Sequence, residues 1–208
     1  MLATTKGLRT ALLGAVMALA SLAAPALALD LTNVAFVQTV AGTTSIPVGH
    51  AEFCKARPIE CRSNDTVVDA VGLDEALWKQ LLNVNSTVNE SIVAVTDMEL
   101  YGVEEFWTYP NGYGDCEDIA LEKRRQLINA GWPVSTLLMT VVREANGNGH
   151  AVLMVRTDRG DLVLDNQVGT VDLWSNTPYQ FLKRQSQADT SKWVQMIDDR
   201  QIYVAAVK

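Results

Sequence analysis

Reactive side chains in this 208-residue chain are concentrated in the segment Gly-Asp-Cys-Glu-Asp at residues 114–118. Cys116 lies at the predicted first turn of a helix, where unpaired backbone N–H groups and the positive end of the helix dipole favour a thiolate. The carboxylates of Asp115, Glu117 and Asp118 act in the opposite direction, because negative charge nearby raises the pKa of a thiol. A nucleophilic Cys116 therefore needs a compensating group, which is either a histidine or a bound cation.

A histidine is the first kind of compensating group, and the chain contains only His50 and His150. His150 opens a predicted strand directly after the glycine-rich turn at residues 146–149, so the strand end can present its ring to a cleft. For His150 taken alone, an ordinary strand histidine on the sheet surface is an equal alternative. His50 is interpreted as a surface residue without a role.

Asp165 closes the predicted strand that follows His150, in Leu-Val-Leu-Asp-Asn. A turn centred between Thr157 and Asp158 places residues 150 and 165 opposite each other, whereas a turn centred one residue later offsets them by two. Periodicity does not distinguish the two registers, but in both the carboxylate is near enough to orient the imidazole. The chain thus offers a nucleophile, a base and an orienting acid in the order Cys116, His150 and Asp165.

A bound cation is the second kind of compensating group. Asp115, Glu117 and Asp118 supply hard carboxylate oxygens, which are the ligands that Ca²⁺ prefers. Their spacing does not match an EF-hand loop, and a solvated acidic helix start that favours the dipole explains the same residues equally well.

Residues 1–28 have the pattern of a secretory signal peptide. Two basic residues precede an apolar run at residues 11–24, and a small-x-small cleavage site ends at Ala28. The run is shorter than the roughly 20 residues that span a bilayer, so we expect cleavage and export rather than anchoring. The remaining residues 29–208 suit a single domain with its own hydrophobic core.

The charge of the chain excludes two broad classes of function. Its formal net charge is −7, and the predicted leader carries only basic residues, so the exported part is more acidic still. Proteins that bind nucleic acid or anionic lipid usually present a basic face. We therefore expect neither nucleic acid nor a lipid surface to be the main partner.

Export also determines how the three cysteines are interpreted, because thiols tend to pair in an oxidising compartment. Cys54 and Cys61 lie in one polar stretch and form the favoured disulfide, which leaves Cys116 as the odd thiol. Pairing of either residue with Cys116 is a less favoured alternative. A zinc site built from His50, Cys54 and Cys61 is conceivable, but oxidation competes with it.

Hydrophobic periodicity predicts a helical half followed by strands. Helices are predicted over residues 73–95 and 116–130, with Asp115 as the N-cap of the second and Gly131 just beyond its end. A possible third helix covers residues 176–185. Strands are predicted over 135–144, 150–157, 161–166, 193–197 and 202–207. Sequential strands joined by short turns indicate an α+β fold with an antiparallel sheet.

Several motifs together resemble one known family. They are Asp97, Tyr101-Gly102, Trp107, Pro110, Gly114-Asp115-Cys116-Glu117-Asp118, Gly149-His150-Ala151-Val152-Leu153, Leu162-Val163-Leu164-Asp165-Asn166 and the paired cysteines of FCKARPIEC. This set is similar to the bacterial transglutaminase-like cysteine proteases of the periplasmic LapG type. The resemblance covers roughly residues 50–175.

The resemblance implies a papain-like, transglutaminase-like α+β fold with Cys116 as nucleophile, His150 as base and Asp165 as orienting acid. It also implies Ca²⁺ bound by Asp115, Glu117 and Asp118. The implied substrate is the N-terminal region of a large repeat-containing surface adhesin, whose cleavage releases cells from biofilms. An inner-membrane receptor for cyclic di-GMP is the implied regulatory partner.

Two other functions are compatible with the same residues. An acyl transferase would use the same triad and thioester, with an amine in place of water as acceptor. A non-catalytic calcium-binding interaction module would keep the fold without turnover. Trp107 precedes the nucleophile segment and is the best candidate among the tryptophans for lining a substrate groove.

Overall fold

The computed structural model describes residues 36–200, besides Met1. The predicted leader at residues 1–28 and the strand predicted over 202–207 lie outside the described residues. Within the described range, no helix combines the length and apolar character needed to cross a membrane.

A seven-stranded antiparallel sheet forms the centre of the fold, in the order β1-β9-β8-β4-β5-β6-β7. Its strands are β1 (Gln38–Thr39), β4 (Leu137–Arg143), β5 (Gly149–Thr157), β6 (Gly160–Leu164), β7 (Asp172–Leu173), β8 (Gln180–Gln185) and β9 (Trp193–Ile197). The short strands β2 (Val93–Ala94) and β3 (Tyr113–Gly114) pair in parallel apart from this sheet. The antiparallel α+β class predicted from the sequence is confirmed.

Among residues 36–200, four α-helices accompany the sheet: α1 (Val48–Ala56), α2 (Glu75–Ser91), α3 (Asp97–Tyr101) and α4 (Cys116–Asn129). The Asp74 side chain caps α2 by accepting from the N–H of Leu77 at 2.8 Å. Gly131 follows the end of α4 with a φ of +93°, a left-handed conformation that glycine adopts without steric cost. The two long helices predicted from periodicity are confirmed, except that α2 ends at Ser91 and the last predicted residues form β2.

Each face of the sheet carries its own hydrophobic core, because successive strand residues point to opposite faces. Leu137 and Met139 of β4 pack in the cluster that contains the apolar faces of α2 and α4. Leu138 and Val142 of the same strand pack in a second cluster, with Tyr179. The helix that carries Cys116 is thereby fixed against the sheet that carries His150.

One local expectation was wrong. Residues 180–185 form β8 rather than a helix, because the segment pairs with both β4 and β9 and buries Phe181 in the second core. Residues 48–56, for which no element was predicted, form α1. A close approach favours Gly49 in that helix, since a Cβ there would lie 2.2 Å from Cδ1 of Trp107.

Candidate active site

Cys116 is the first residue of α4 and is half-buried. The parallel pairing of β2 and β3 holds the segment that leads into it. Asp115 is the N-cap residue, but its side chain makes no capping hydrogen bond; Oδ2 instead accepts from the N–H of Asp97 at 3.2 Å. The start of α4 is thus tied to the short helix α3 rather than closed on itself.

The groups around the Cys116 thiol shift its pKa in opposite directions. The thiol donates a hydrogen bond to Oε2 of Glu117 at 3.0 Å, which favours the protonated thiol. The backbone amide of Ala151 on β5 favours the thiolate. Burial raises the pKa of the thiol well above its usual value, and the carboxylates of Glu117 and Asp115 raise it further; the Ala151 amide lowers it. The thiol therefore neighbours the strand residue next to His150, in surroundings that favour the protonated form.

His150 and Asp165 form a buried hydrogen-bonded pair. The structure adopts the later of the two registers, in which Leu153 faces Leu164 and Thr157 faces Gly160. His150 Nε2 and Asp165 Oδ1 are 2.9 Å apart across this offset. Because a carboxylate only accepts, Nε2 carries the proton, and Nδ1 is an acceptor that faces the side-chain amide of Gln167 at 3.4 Å.

Asp165 receives two further hydrogen bonds that the sequence did not reveal. The hydroxyl of Tyr179 donates to Oδ2 at 2.5 Å, and the backbone N–H of Gln167 donates to Oδ1 at 3.0 Å. Burial acts to raise the pKa of Asp165, but the hydrogen bonds from His150, Tyr179 and Gln167 outweigh it and lower the pKa. The carboxylate is therefore held ionised and oriented toward the imidazole.

Three carboxylates meet beside Cys116. One oxygen from each of Asp97, Asp115 and Glu117 lies within 4.8 Å of the others. Burial, followed by the charge of Asp115, raises the pKa of Glu117 to about 9. Burial likewise raises the pKa of Asp97 to about 6, with Asp115 and Glu105 adding to the rise and the Phe106 amide opposing it.

Asp118 was expected in this acidic group but lies outside it. Its Oδ1 accepts from the backbone N–H of Thr108 at 2.7 Å, and burial raises its pKa to about 7. Asp97 lies in the group with Asp115 and Glu117 instead. The sequence signal for Asp97 was its position at the start of the family motif, and only the packing of α3 against the start of α4 brings it to Glu117.

A family model described as bacterial transglutaminase-like cysteine proteinase matches residues 40–201, which include every residue of this site. The chain belongs to that family. The family expected from the motifs is thereby confirmed. A comparison with curated proteins gave no match.

Solved structures of Legionella pneumophila LapG resemble part of this transglutaminase-like proteinase. The calcium-bound form is 27% identical over 52% of this chain and 64% of that chain, with a TM-score of 0.47. The EGTA-treated form is 25% identical over 60% of this chain and 69% of that chain, with a TM-score of 0.48. This chain therefore spans less than two thirds of the calcium-bound LapG chain.

Cys54 and Cys61 of this transglutaminase-like proteinase form a disulfide, and Cys116 is a free thiol. The disulfide lies against His50, whose Nδ1 is 3.6 Å from Cys54 Sγ. The structure therefore contains the favoured pairing and not the zinc site that would use the same three residues.

Two expectations about aromatic and imidazole side chains require correction. His50 is a core residue rather than a surface one: 1% of it is exposed, and its Nδ1 accepts from Nε1 of Trp193 at 3.1 Å. Trp107 packs edge-on against His50 and is 4% exposed. It therefore supports the core beneath α1 and does not line an open substrate groove.

Proposed function

We propose that this protein is an exported, calcium-dependent cysteine endopeptidase with Cys116 as nucleophile, His150 as general base and Asp165 as orienting acid. The observation that carries the proposal is the buried hydrogen bond between His150 and Asp165, which starts from strand β5, against which the helix that begins at Cys116 packs. Family membership supports the choice of peptide-bond cleavage.

The reaction follows from the positions of these groups. Nδ1 of His150 takes the thiol proton, and Sγ of Cys116 attacks the carbonyl carbon of the substrate. The backbone N–H of Cys116 is one donor to the resulting oxyanion. The imidazolium then protonates the leaving amine as the C–N bond breaks, and water cleaves the thioester to restore the thiol. Asp165 holds the ring in one tautomer throughout.

We propose Asp97, Asp115 and Glu117 as the calcium ligands, in place of the set that included Asp118. All the donors are carboxylate oxygens that lie within 4.8 Å of one another, a group that does not include Asp118. Oδ1 of Asp97 and of Asp115, like Oδ2 of Asp118, is buried without a hydrogen-bond partner among the described residues. Bound there, calcium would supply positive charge beside the nucleophile. Glu117, engaged as a ligand, would no longer be the acceptor for the thiol proton, so the thiol would be free to turn to His150.

The substrate and setting belong to the proposal as well. The family motifs and the partial likeness to LapG support the N-terminal region of a large surface adhesin as substrate, with biofilm release as the outcome. The disulfide and the leader pattern support the periplasm as the location. Regulation by an inner-membrane cyclic-di-GMP receptor is the corresponding proposal for a partner.

A cleavage assay tests this proposal. The purified protein is incubated with the N-terminal fragment of a large repeat-containing adhesin from the same organism, in calcium or in EGTA, beside Cys116→Ala. We expect cleavage by the wild-type protein alone, lost in EGTA. Cleavage by Cys116→Ala would refute the nucleophile. Incorporation of a fluorescent primary amine without cleavage would identify an acyl transferase instead, and a binding activity that Cys116→Ala keeps would identify an interaction module.

A further inference from the structure

The proposed proton acceptor, Nδ1 of His150, has a hydrogen-bond partner in this structure. The side-chain Nε2 of Gln167 lies 3.4 Å from it, and the ring's own Nε2 lies 2.9 Å from Oδ1 of Asp165. Both nitrogens of this buried ring are therefore engaged. Because the proposed reaction uses Nδ1 to take the thiol proton, the contact with Gln167 has to break before His150 can act.

The orientation of the Gln167 amide is fixed by a second contact. Its Nε2 also lies 2.6 Å from Oε1 of Glu144, and an ionised carboxylate only accepts hydrogen bonds. The group between Glu144 and His150 is therefore the NH₂, which has one hydrogen for each acceptor. Nδ1 of the ring can accept because the ring proton lies on Nε2, toward Asp165. Donors and acceptors thus match from Glu144 to Asp165.

Glu144 is held in turn by the connection between β4 and β5. Its Oε2 accepts from Nδ2 of Asn146 at 3.0 Å. Its backbone N–H donates to the oxygen of Asn148, and its backbone oxygen accepts from Gly147, each at 2.9 Å. The group that anchors the Gln167 amide is therefore fixed at both its main chain and its side chain.

Gln167 contacts the acid of the buried pair as well as the base. Its backbone N–H donates at 3.0 Å to Oδ1 of Asp165, the same oxygen that faces His150. One residue therefore contacts Asp165 through its main chain and His150 through its side chain. A substitution at this position removes the contact with the base and keeps the contact with the acid.

We propose that Gln167 is a positioning residue of the proposed triad: its side-chain amide, anchored by Glu144, holds Nδ1 of His150 in the resting protein and withdraws when the ring takes the thiol proton. A hydrogen bond donated to Nδ1 stabilises the neutral ring and so opposes proton uptake at that atom. The side chain of Gln167 is exposed, which leaves it room to turn away. The importance of this contact for turnover rests on the proposed function.

Alkylation of Cys116 by iodoacetamide tests the proposal without a substrate, since this is the one cysteine outside the disulfide. Gln167→Met removes the amide at similar side-chain length and keeps the backbone N–H. We expect it to raise the alkylation rate at neutral pH in calcium about 3-fold, as the loss of a weak neutral hydrogen bond allows. Gln126→Met is the matched control, because Gln126 also donates to a glutamate, Glu122 at 2.9 Å, but within α4. It should alkylate at the wild-type rate.

Two substitutions at Glu144 test the anchor. Glu144→Ala and Glu144→Gln both remove the charge, but only the second keeps an oxygen that can accept from Gln167. We expect Glu144→Ala to alkylate about 2-fold faster than Glu144→Gln. Equal rates would overturn the anchoring role. This pair also decides the proposal if Gln167→Met does not fold.

The ring nitrogens give a readout that a merely structural role would not move. Long-range ¹H–¹⁵N spectra identify Nδ1 of His150 as the nitrogen without a proton, and a His50→Gln variant assigns the two rings. We expect the Nδ1 resonance to shift in Gln167→Met, because it loses a hydrogen-bond donor, while Nε2 keeps its proton. A folded Gln167→Met with an unchanged Nδ1 resonance, or with an alkylation rate that is unchanged or lower, would overturn the proposal.

His150→Ala separates this proposal from the proposed function. We expect it to slow alkylation, and we expect Gln167→Met to add nothing in the double variant, because its effect runs through the ring. Wild-type alkylation in His150→Ala would refute the base itself. A slowed His150→Ala beside an unchanged Gln167→Met would refute only the role of Gln167.

Discussion

The two histidines of this protein occupy equally buried pockets that have opposite chemistry. His50 and His150 are 1% and 4% exposed, respectively. His50 lies among Trp107, Trp193 and the disulfide, and burial lowers its pKa to about 4. His150 instead hydrogen-bonds a carboxylate at 2.9 Å. Burial and the charge of Arg124 therefore keep His50 a neutral structural imidazole, whereas the buried carboxylate of Asp165 fixes the ring of His150 in one orientation.

Loss of the imidazole should lower turnover at His150 and leave it unchanged at His50. We expect His150→Ala to lower kcat/KM by about 10³-fold, because it removes the proposed general base. It should also slow alkylation of Cys116 near neutral pH. The measurement compares adhesin cleavage and iodoacetamide labelling with those of His50→Gln. Wild-type rates in His150→Ala would show that the triad assignment is wrong.

A substitution in the acidic group beside Cys116 should weaken calcium binding and leave the His150 pocket undisturbed. We expect Asp97→Asn to weaken calcium binding about 10–100-fold, because it removes a proposed ligand. Asp118→Asn is the control, since Asp118 lies outside the cluster of three, and it should weaken binding less. Isothermal titration calorimetry measures both affinities. A larger loss in Asp118→Asn would restore the ligand set predicted from the sequence.

Tyr179 contributes a hydroxyl to the His150 pocket, and its loss should have a smaller effect than the loss of the imidazole. Tyr179→Phe removes the hydroxyl that donates to Asp165 and leaves the ring that packs near His150. A hydrogen bond to a charged group contributes about 1.5–3 kcal/mol, so we expect kcat to fall about 10-fold or somewhat more. Tyr113→Phe, at an exposed tyrosine, serves as the control. Equal activity of the two variants would show that His150 and the Gln167 amide suffice to hold Asp165.

The sequence allowed prediction of features that depend on local pattern. The helix start at Cys116, the strand that begins near His150 and the two possible offsets of Asp165 followed from caps, turns and alternation. Periodicity left both offsets open, because each keeps the same side chains on the same face. The structure selects the later turn.

Features that depend on distant packing were not predictable in this way. Asp97 reaches Glu117 only because α3 docks on the start of α4, and Tyr179 lies in a segment interpreted as a helix. His50 was interpreted as a surface residue, because its local sequence shows nothing of the distant side chains that cover it. The helix that buries it against Trp193 brings together residues 143 positions apart.

Acidification should reveal the burial of His50 through the stability of the protein rather than through its turnover. Because the pKa of buried His50 is about 4 and its unfolded value is 6.5, the unfolded chain takes up the proton first as pH falls. The contribution of neutral His50 to the free energy of unfolding is therefore fully present above about pH 6.5. It is lost as the pH falls toward 4, by up to about 3 kcal/mol.

His50→Gln removes this titration, while the amide oxygen can still accept a hydrogen bond from Trp193. Urea unfolding at pH 7 and pH 4.5, both in EGTA, should therefore show a smaller acid loss in the variant, with unchanged cleavage at pH 7 in calcium. Equal acid losses in the two proteins would mean that His50 is protonated in the folded core, and the contrast with His150 would then rest on geometry alone.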